Sequence, residues 1–86
     1  MKTGKEISYS RNALKGLRSI DRKASKLIRA KIEQYAADPA SLAANVITMK
    51  GSDALRLRVG DYRVIFTEGL VILTVLKIGH RREIYD

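Results

Sequence analysis

The spacing of apolar residues changes at Ala54, and that change limits the fold more than any other feature of the chain. From Leu55 onward the period is two: Leu55, Leu57 and Val59 alternate with Arg56 and Arg58. Strict alternation is the mark of a strand with one face buried. Gly60-Asp61 reads as a two-residue hairpin turn of the II′ kind, and Tyr62 to Thr67 as the return strand. Glu68-Gly69 reads as a second tight turn. Leu70 to Ile78 is almost wholly apolar, the pattern of a central strand covered on both faces, and Gly79 ends it. The last third of the chain is therefore a β-meander.

The turns fix an expected register. A loop at 60–61 pairs Val59 with Tyr62, Arg58 with Arg63 and Leu57 with Val64. A loop at 68–69 pairs Thr67 with Leu70, Val64 with Leu73 and Arg63 with Thr74. Directly paired residues share a face, so one face carries Leu55, Leu57, Val59, Tyr62, Val64, Phe66, Val71, Leu73 and Val75. The other carries Arg56, Arg58, Arg63, Ile65, Ile72, Thr74, Leu76 and Ile78. Placing Arg58 across from Arg63 costs some tenths of a kcal/mol. A bound anion or a neighbouring carboxylate, Asp61 or Asp53, can offset that cost.

The first half has the helical period. Lys5 to Tyr9 reads as a short strand. Ser10 is a candidate N-cap for a helix over Arg11 to Arg18, with Ala13, Leu14 and Leu17 on one side. Asp21 can cap a second helix running to about Ala37, whose stripe is Ala24, Ile28, Ile32 and Tyr35. Arg22, Lys23, Lys26, Arg29 and Lys31 fall largely off that stripe. Asp38-Pro39 stops the helix. Residues 40–53 read as a connecting loop with a helical turn near Ser41 to Asn45. The expected architecture is α+β, in the order β-α-α-β-β-β. A helical hairpin packs on one face of a mostly antiparallel sheet and leaves the other face partly open.

The 86 residues make a single domain, 1–86, small enough to gain stability from a bound partner. The chain has no cysteine and one histidine, which excludes a disulfide framework and a thiolate metal site and argues against protein-bound zinc. No stretch is long and apolar enough for a membrane span, and MKTGKEISYS lacks the apolar core of a signal peptide. The expectation is a cytosolic (cytoplasmic) protein with no membrane partner. The net charge of +8 and pI near 10.1 point to a polyanionic partner: RNA, DNA or an acidic protein. Residues 1–43 carry ten Lys/Arg against four Asp/Glu, and residues 44–86 seven against five.

The tail GHRREIYD adds His80, Arg81, Arg82, Glu83 and Tyr85 near the rim of the arginine face. His80 has the right pKa class for acid–base work and is equally an ordinary surface histidine. Tyr85 can move a proton if arginines lower its pKa, or stack on a base. No carboxylate pair, Ser/His/Asp order or metal cluster is present, so an enzyme built this way uses neither metal nor cofactor.

The segments LRVGDYRVIF, residues 57–66, and IGHRREIY, residues 78–85, resemble the RelE-type toxins of the RelE/ParE toxin–antitoxin superfamily. The strand, helical hairpin, Pro stop and Met49-Lys50-Gly51 before the meander extend the likeness over essentially the whole chain. The resemblance implies a metal-independent, ribosome-dependent mRNA endoribonuclease. It would cut mRNA in the ribosomal A site through attack of a 2′-hydroxyl on the adjacent phosphate, inhibiting translation and arresting growth. By position it implies that Arg63 and Arg81 contact the phosphate or leaving group and that Tyr85 stacks or assists proton transfer. His80 joins them as a catalytic candidate, and Lys50, Arg56, Arg58 and Arg82 as RNA contacts. Arg56 stands where the family carries a lysine, and Ala54 where it carries another, so one charge is missing. The resemblance also implies a cognate antitoxin wrapping the basic surface, with operator DNA bound only through that antitoxin. Two alternatives share the fold: a ParE-type DNA gyrase poison, and an inactive homologue serving as an antitoxin-binding corepressor.

Overall fold

A computed structural model describes residues 4–84; the expectations for Tyr85 lie outside the described residues. Strand β1 is Glu6–Tyr9, helix α1 Arg11–Ser19 and helix α2 Arg22–Ala37. Both caps act as expected. The Ser10 hydroxyl accepts from the Ala13 amide at 3.0 Å, and the Asp21 carboxylate from the Ala24 amide at 2.6 Å. The chain then forms 3-10 turns over Pro39–Asn45, broken at Leu42, followed by strands β2 Val46–Thr48, β3 Leu55–Val59, β4 Tyr62–Glu68 and β5 Ile72–His80.

The α+β class and the helical hairpin on one face are as the sequence implies, with a mixed five-stranded sheet in the order β1-β5-β4-β3-β2. The β1–β5 pair is parallel and the rest are antiparallel. The helical turn expected near Ser41 to Asn45 is present as the 3-10 turns; the rest of the loop expected over 40–53 is corrected, because it holds an edge strand, β2, which pairs with β3.

The β3–β4 register is the expected one, with Val59 on Tyr62, Arg58 on Arg63 and Leu57 on Val64. Gly60 takes φ 58°, the left-handed value that a II′ turn needs at its first central position.

The β4–β5 register is a correction. Thr67 pairs with Thr74 and Glu68 with Leu73, so the turn is longer than two residues and is closed by the Gly69 amide on the Ile72 carbonyl. Leu70 and Val71, assigned to the strand, are instead 97% and 65% exposed. Glu68 anchors this end. Its carboxylate takes the Lys5 ammonium at 2.8 Å and the Tyr35 hydroxyl at 3.2 Å.

A second irregularity follows. Phe66 pairs with Val75 but Ile65 with Lys77, leaving Leu76 as an extra, bulged residue. One extra residue reverses the alternation beyond it. Leu73 and Val75 face the helices, and so do Ile78 and His80. Ile78, expected on the arginine face, is a core residue. The bulge is fastened to the start of α1: the Ser10 amide donates to the Val75 carbonyl and its hydroxyl to the Leu76 carbonyl. Nor is β5 covered on both faces, because Ile72 and Leu76 are exposed.

The main core lies between sheet and helices, with Ile28, Ile32, Leu57, Val64, Phe66, Leu73 and Val75 essentially dry. Helix α1 crosses β5 at Gly16, where a Cβ would collide with the Ile78 carbonyl oxygen. A smaller apolar cluster lies on the opposite face: Ala54, Ile65 and Ile84, with Met49 against them.

Candidate functional site

Two cross-strand rows organise the open face. Ile47, Arg56, Ile65 and Lys77 are paired in sequence across β2, β3, β4 and β5. The next row runs Arg58, Arg63, Gly79. Asn45, the last residue of the 3-10 turns, immediately precedes β2. These rows wall a cleft of about 170 Å³, lined by Ala44, Asn45, Ile47, Arg56, Arg58 and Arg63.

Among these arginines Arg63 is held in place. Arg63 folds one guanidinium nitrogen back onto its hairpin, donating to the Gly60 and Tyr62 carbonyls at 2.9 Å each. Burial lowers the proton affinity of that guanidinium below arginine's ordinary value. The positive charges of Arg56, Arg58 and Arg81 lower it further, and Asp61 opposes them. Arginine stays charged at neutral pH, so the effect persists as mutual repulsion that a bound anion relieves. The Arg81 amide donates to the Asp61 carbonyl at 2.8 Å, and its guanidinium lies 3.8 Å from the Asp61 carboxylate. That ion pair is exposed and weak. The backbone bond is what joins the tail to the β3–β4 turn.

Beyond Arg81 the chain turns back over the open face. The Glu83 amide donates to the His80 carbonyl at 2.8 Å, and the His80 amide to the Glu83 carboxylate at 3.3 Å. Ile84 then drops onto Ala54 and Ile65 and is 5% exposed. It passes over Gly79, where a Cβ would lie 3.3 Å from two of its carbons.

Arg56, Arg58, Arg63 and Arg81 are thus brought together. His80 is not with them. It pairs with Tyr62 on the helix side, its ring edge-on to the tyrosine at 5.7 Å, and its Nδ1 accepts from the Arg82 amide. Arg82 is exposed beside His80 and Glu83, in a shallow recess separate from the cleft. Lys50 is exposed in the β2–β3 connection, at the end of β3 away from Arg58. Ala54, where the charge is missing, is 7% exposed and packed under Ile84. The cleft walls Ala44, Asn45 and Ile47 were hidden in a stretch read as loop, although Val46-Ile47-Thr48 is a run of β-formers. Among the described residues no group of His, Asp and Glu could hold a metal ion, and no helix is long and apolar enough to cross a membrane.

Chemically, an arginine cleft of this kind suits an anion, whether a nucleic-acid phosphate or the carboxylates of an acidic segment. The chain is similar over 94% of its length to archaeal RelE from Pyrococcus horikoshii in its complex with RelB, with 23% identity, TM-score 0.76 and 97% of that chain covered. It is similar to an arginine-substituted variant of Escherichia coli RelE in the free state, with 18% identity, TM-score 0.74, and 93% and 86% of the two chains covered. It is also similar to E. coli YafQ, with 13% identity, TM-score 0.66, and 95% and 99% covered. At these identities the likeness speaks for the fold. No curated protein sequence matches the chain. The model of the family described as the ParE toxin of the type II toxin–antitoxin system, parDE, matches residues 7–85. The chain belongs to that family and is a toxin of the RelE/ParE superfamily of type II toxin–antitoxin systems.

Proposed function

We infer that this toxin is a metal-independent endoribonuclease that cuts mRNA in the ribosomal A site. The observation that carries this reading is the cleft of Arg56, Arg58 and Arg63, with Arg81 tied to its rim. In-line attack by a 2′-hydroxyl on the adjacent phosphorus forms a 2′,3′-cyclic phosphate and expels the 5′-oxygen. One proton leaves the attacking hydroxyl and one reaches the leaving oxygen. The intervening phosphorane carries more negative charge than the ground state. Fixed cations aimed at that charge lower the barrier without reorganising during the reaction. Arg63 suits the non-bridging oxygens, because two carbonyls hold one side of its guanidinium. Arg81 suits the leaving side. Tyr85, one residue beyond the anchored Ile84, is assigned to stacking or proton transfer. His80 is poorly placed for either step, being paired with Tyr62 on the helix side.

The partners follow from the same charge. RelE from P. horikoshii is seen with RelB, and this chain at +8 suits an acidic antitoxin segment laid over the cleft. Operator DNA would then be met through the antitoxin. A second reading, poisoning of DNA gyrase, is favoured by the family match to ParE toxins. A third, an inactive corepressor, draws on the uncharged Ala54.

Primer extension on a defined mRNA in a purified translation system separates these readings. Cleavage within the A-site codon, lost in Arg63→Ala and Arg81→Ala proteins that still fold, is the expected result. An intact, folded toxin that leaves mRNA uncut overturns the nuclease reading. DNA breaks that depend on gyrase would then identify the second reading, and activity in neither assay the third.

A further inference from the structure

We propose, resting on the nuclease reading, that Asn45 and Ile47 form a base-recognition subsite beside the arginines. The nucleotide next to the gripped phosphate lays its base against Ile47 and presents its edge to the Asn45 amide. Asn45 is half-buried in the cleft wall, and its side-chain amide has no hydrogen-bond partner among the described residues. A primary amide offers two donors and an acceptor, enough to bond one base edge at two points. Ile47 is 44% exposed, a large apolar side chain on a face otherwise rich in arginine. It is directly paired with Arg56, so apolar surface and cation stand side by side. A solvated cationic face gains nothing from an exposed isoleucine. A face that receives a nucleotide gains a contact for the base where the phosphate is already held.

The placement agrees. Asn45, the last residue of the 3-10 turns, lines the same cleft as Arg58 and Arg63, which are directly paired across β3 and β4. A phosphate between Arg58 and Arg63 therefore has its own nucleotide within reach of Asn45. The cleft, at about 170 Å³, is large enough for a single base. Single-stranded RNA is read in this way, through splayed bases packed on side chains and bonded along their edges.

The test is a cleavage-site map across an mRNA carrying every codon, for the intact toxin, Asn45→Ala, Ile47→Ser and Arg63→Ala. Thermal melts confirm that each protein is folded. Asn45→Ala should flatten base preference at one codon position by roughly tenfold, the scale of a lost two-point base contact, and leave the other positions alone. Ile47→Ser should raise KM at all sites and leave the preference unchanged. An unaltered map for Asn45→Ala, with Arg63→Ala inactive, overturns the subsite and leaves the nuclease reading standing. An intact toxin that cuts nothing overturns both, and a map flattened at every position shows general loosening of the cleft, which also overturns the subsite.

Discussion

At the scale of single residues, Arg63 is cation and fixture at once. Its two bonds to the Gly60 and Tyr62 carbonyls set the plane of the guanidinium before any substrate arrives. Lysine keeps the charge but has no planar fork and cannot hold two carbonyls and a phosphate in one fixed geometry. Arg63→Lys is therefore expected to bind RNA nearly as well as the intact toxin while cutting it at least about a hundredfold more slowly, the usual cost of a misplaced reacting group. Single-turnover cleavage beside equilibrium binding checks this, and equal losses in both would reduce Arg63 to a charge. Gly16 is the opposite kind of residue, needed for its lack of atoms. A Cβ there would meet the backbone oxygen of Ile78, which cannot swing aside as a side chain can. Gly16→Ala should cost about 1–3 kcal/mol, the range for overpacking, and a urea melt with an unchanged midpoint would contradict the close approach of α1 to β5.

At the scale of elements, legibility followed from how much each sequence pattern decides. Ser10 and Asp21 were readable as caps because a short polar acceptor before an apolar period has few other uses. The Arg58–Arg63 pair was readable because Gly60-Asp61 closes a hairpin with one plausible register. The second hairpin was not. Leu70 to Ile78 is apolar at both parities, so alternation gives no face, and neither the longer turn nor the Leu76 bulge leaves a mark in composition. Strand β2 escaped notice because three residues pairing along one edge carry almost no periodic signal. The tail was legible as chemistry but not as structure, since what seats it is Ile84 folding back onto Ala54 and Ile65. That contact yields an expectation of its own. Ile84→Ala should lower stability by about 2 kcal/mol, the small end for a buried isoleucine, because the cluster is thin. It should also reduce cleavage well beyond what the unfolded fraction explains, because the segment leading to Tyr85 loses its anchor. Ile84→Val should restore most of the rate. A fall in activity that only tracks the melting curve would make Ile84 a packing residue and nothing more.

At the scale of the whole molecule, charge and geometry pull in different directions. Residues 1–43 hold the larger excess of positive charge, most of its cations lying on α1 and α2, across the sheet from the cleft, while the ordered arginines lie on the open face. Sheet and core lie between the two surfaces, and at 0.1 M salt, where the Debye length is about 10 Å, the helix charges reach the cleft only as a weak long-range field. If RNA is gripped at the cleft, three or four phosphate contacts should give a slope of log affinity against log salt near −2 to −3 for single strands, at about −0.7 per contact. Arg63→Ala should make that slope shallower by about 0.7. Lys23→Ala or Lys26→Ala on α2 should leave it unchanged and slow association, because distant charge steers encounter without joining the contact. Fluorescence anisotropy of a short single-stranded RNA from 50 to 300 mM salt, with stopped-flow association rates, measures both quantities. The reverse pattern, with the α2 lysines setting the slope and Arg63 indifferent, would place RNA on the helices. The cleft would then be left to another anion, and the carboxylates of an antitoxin would be the first to test.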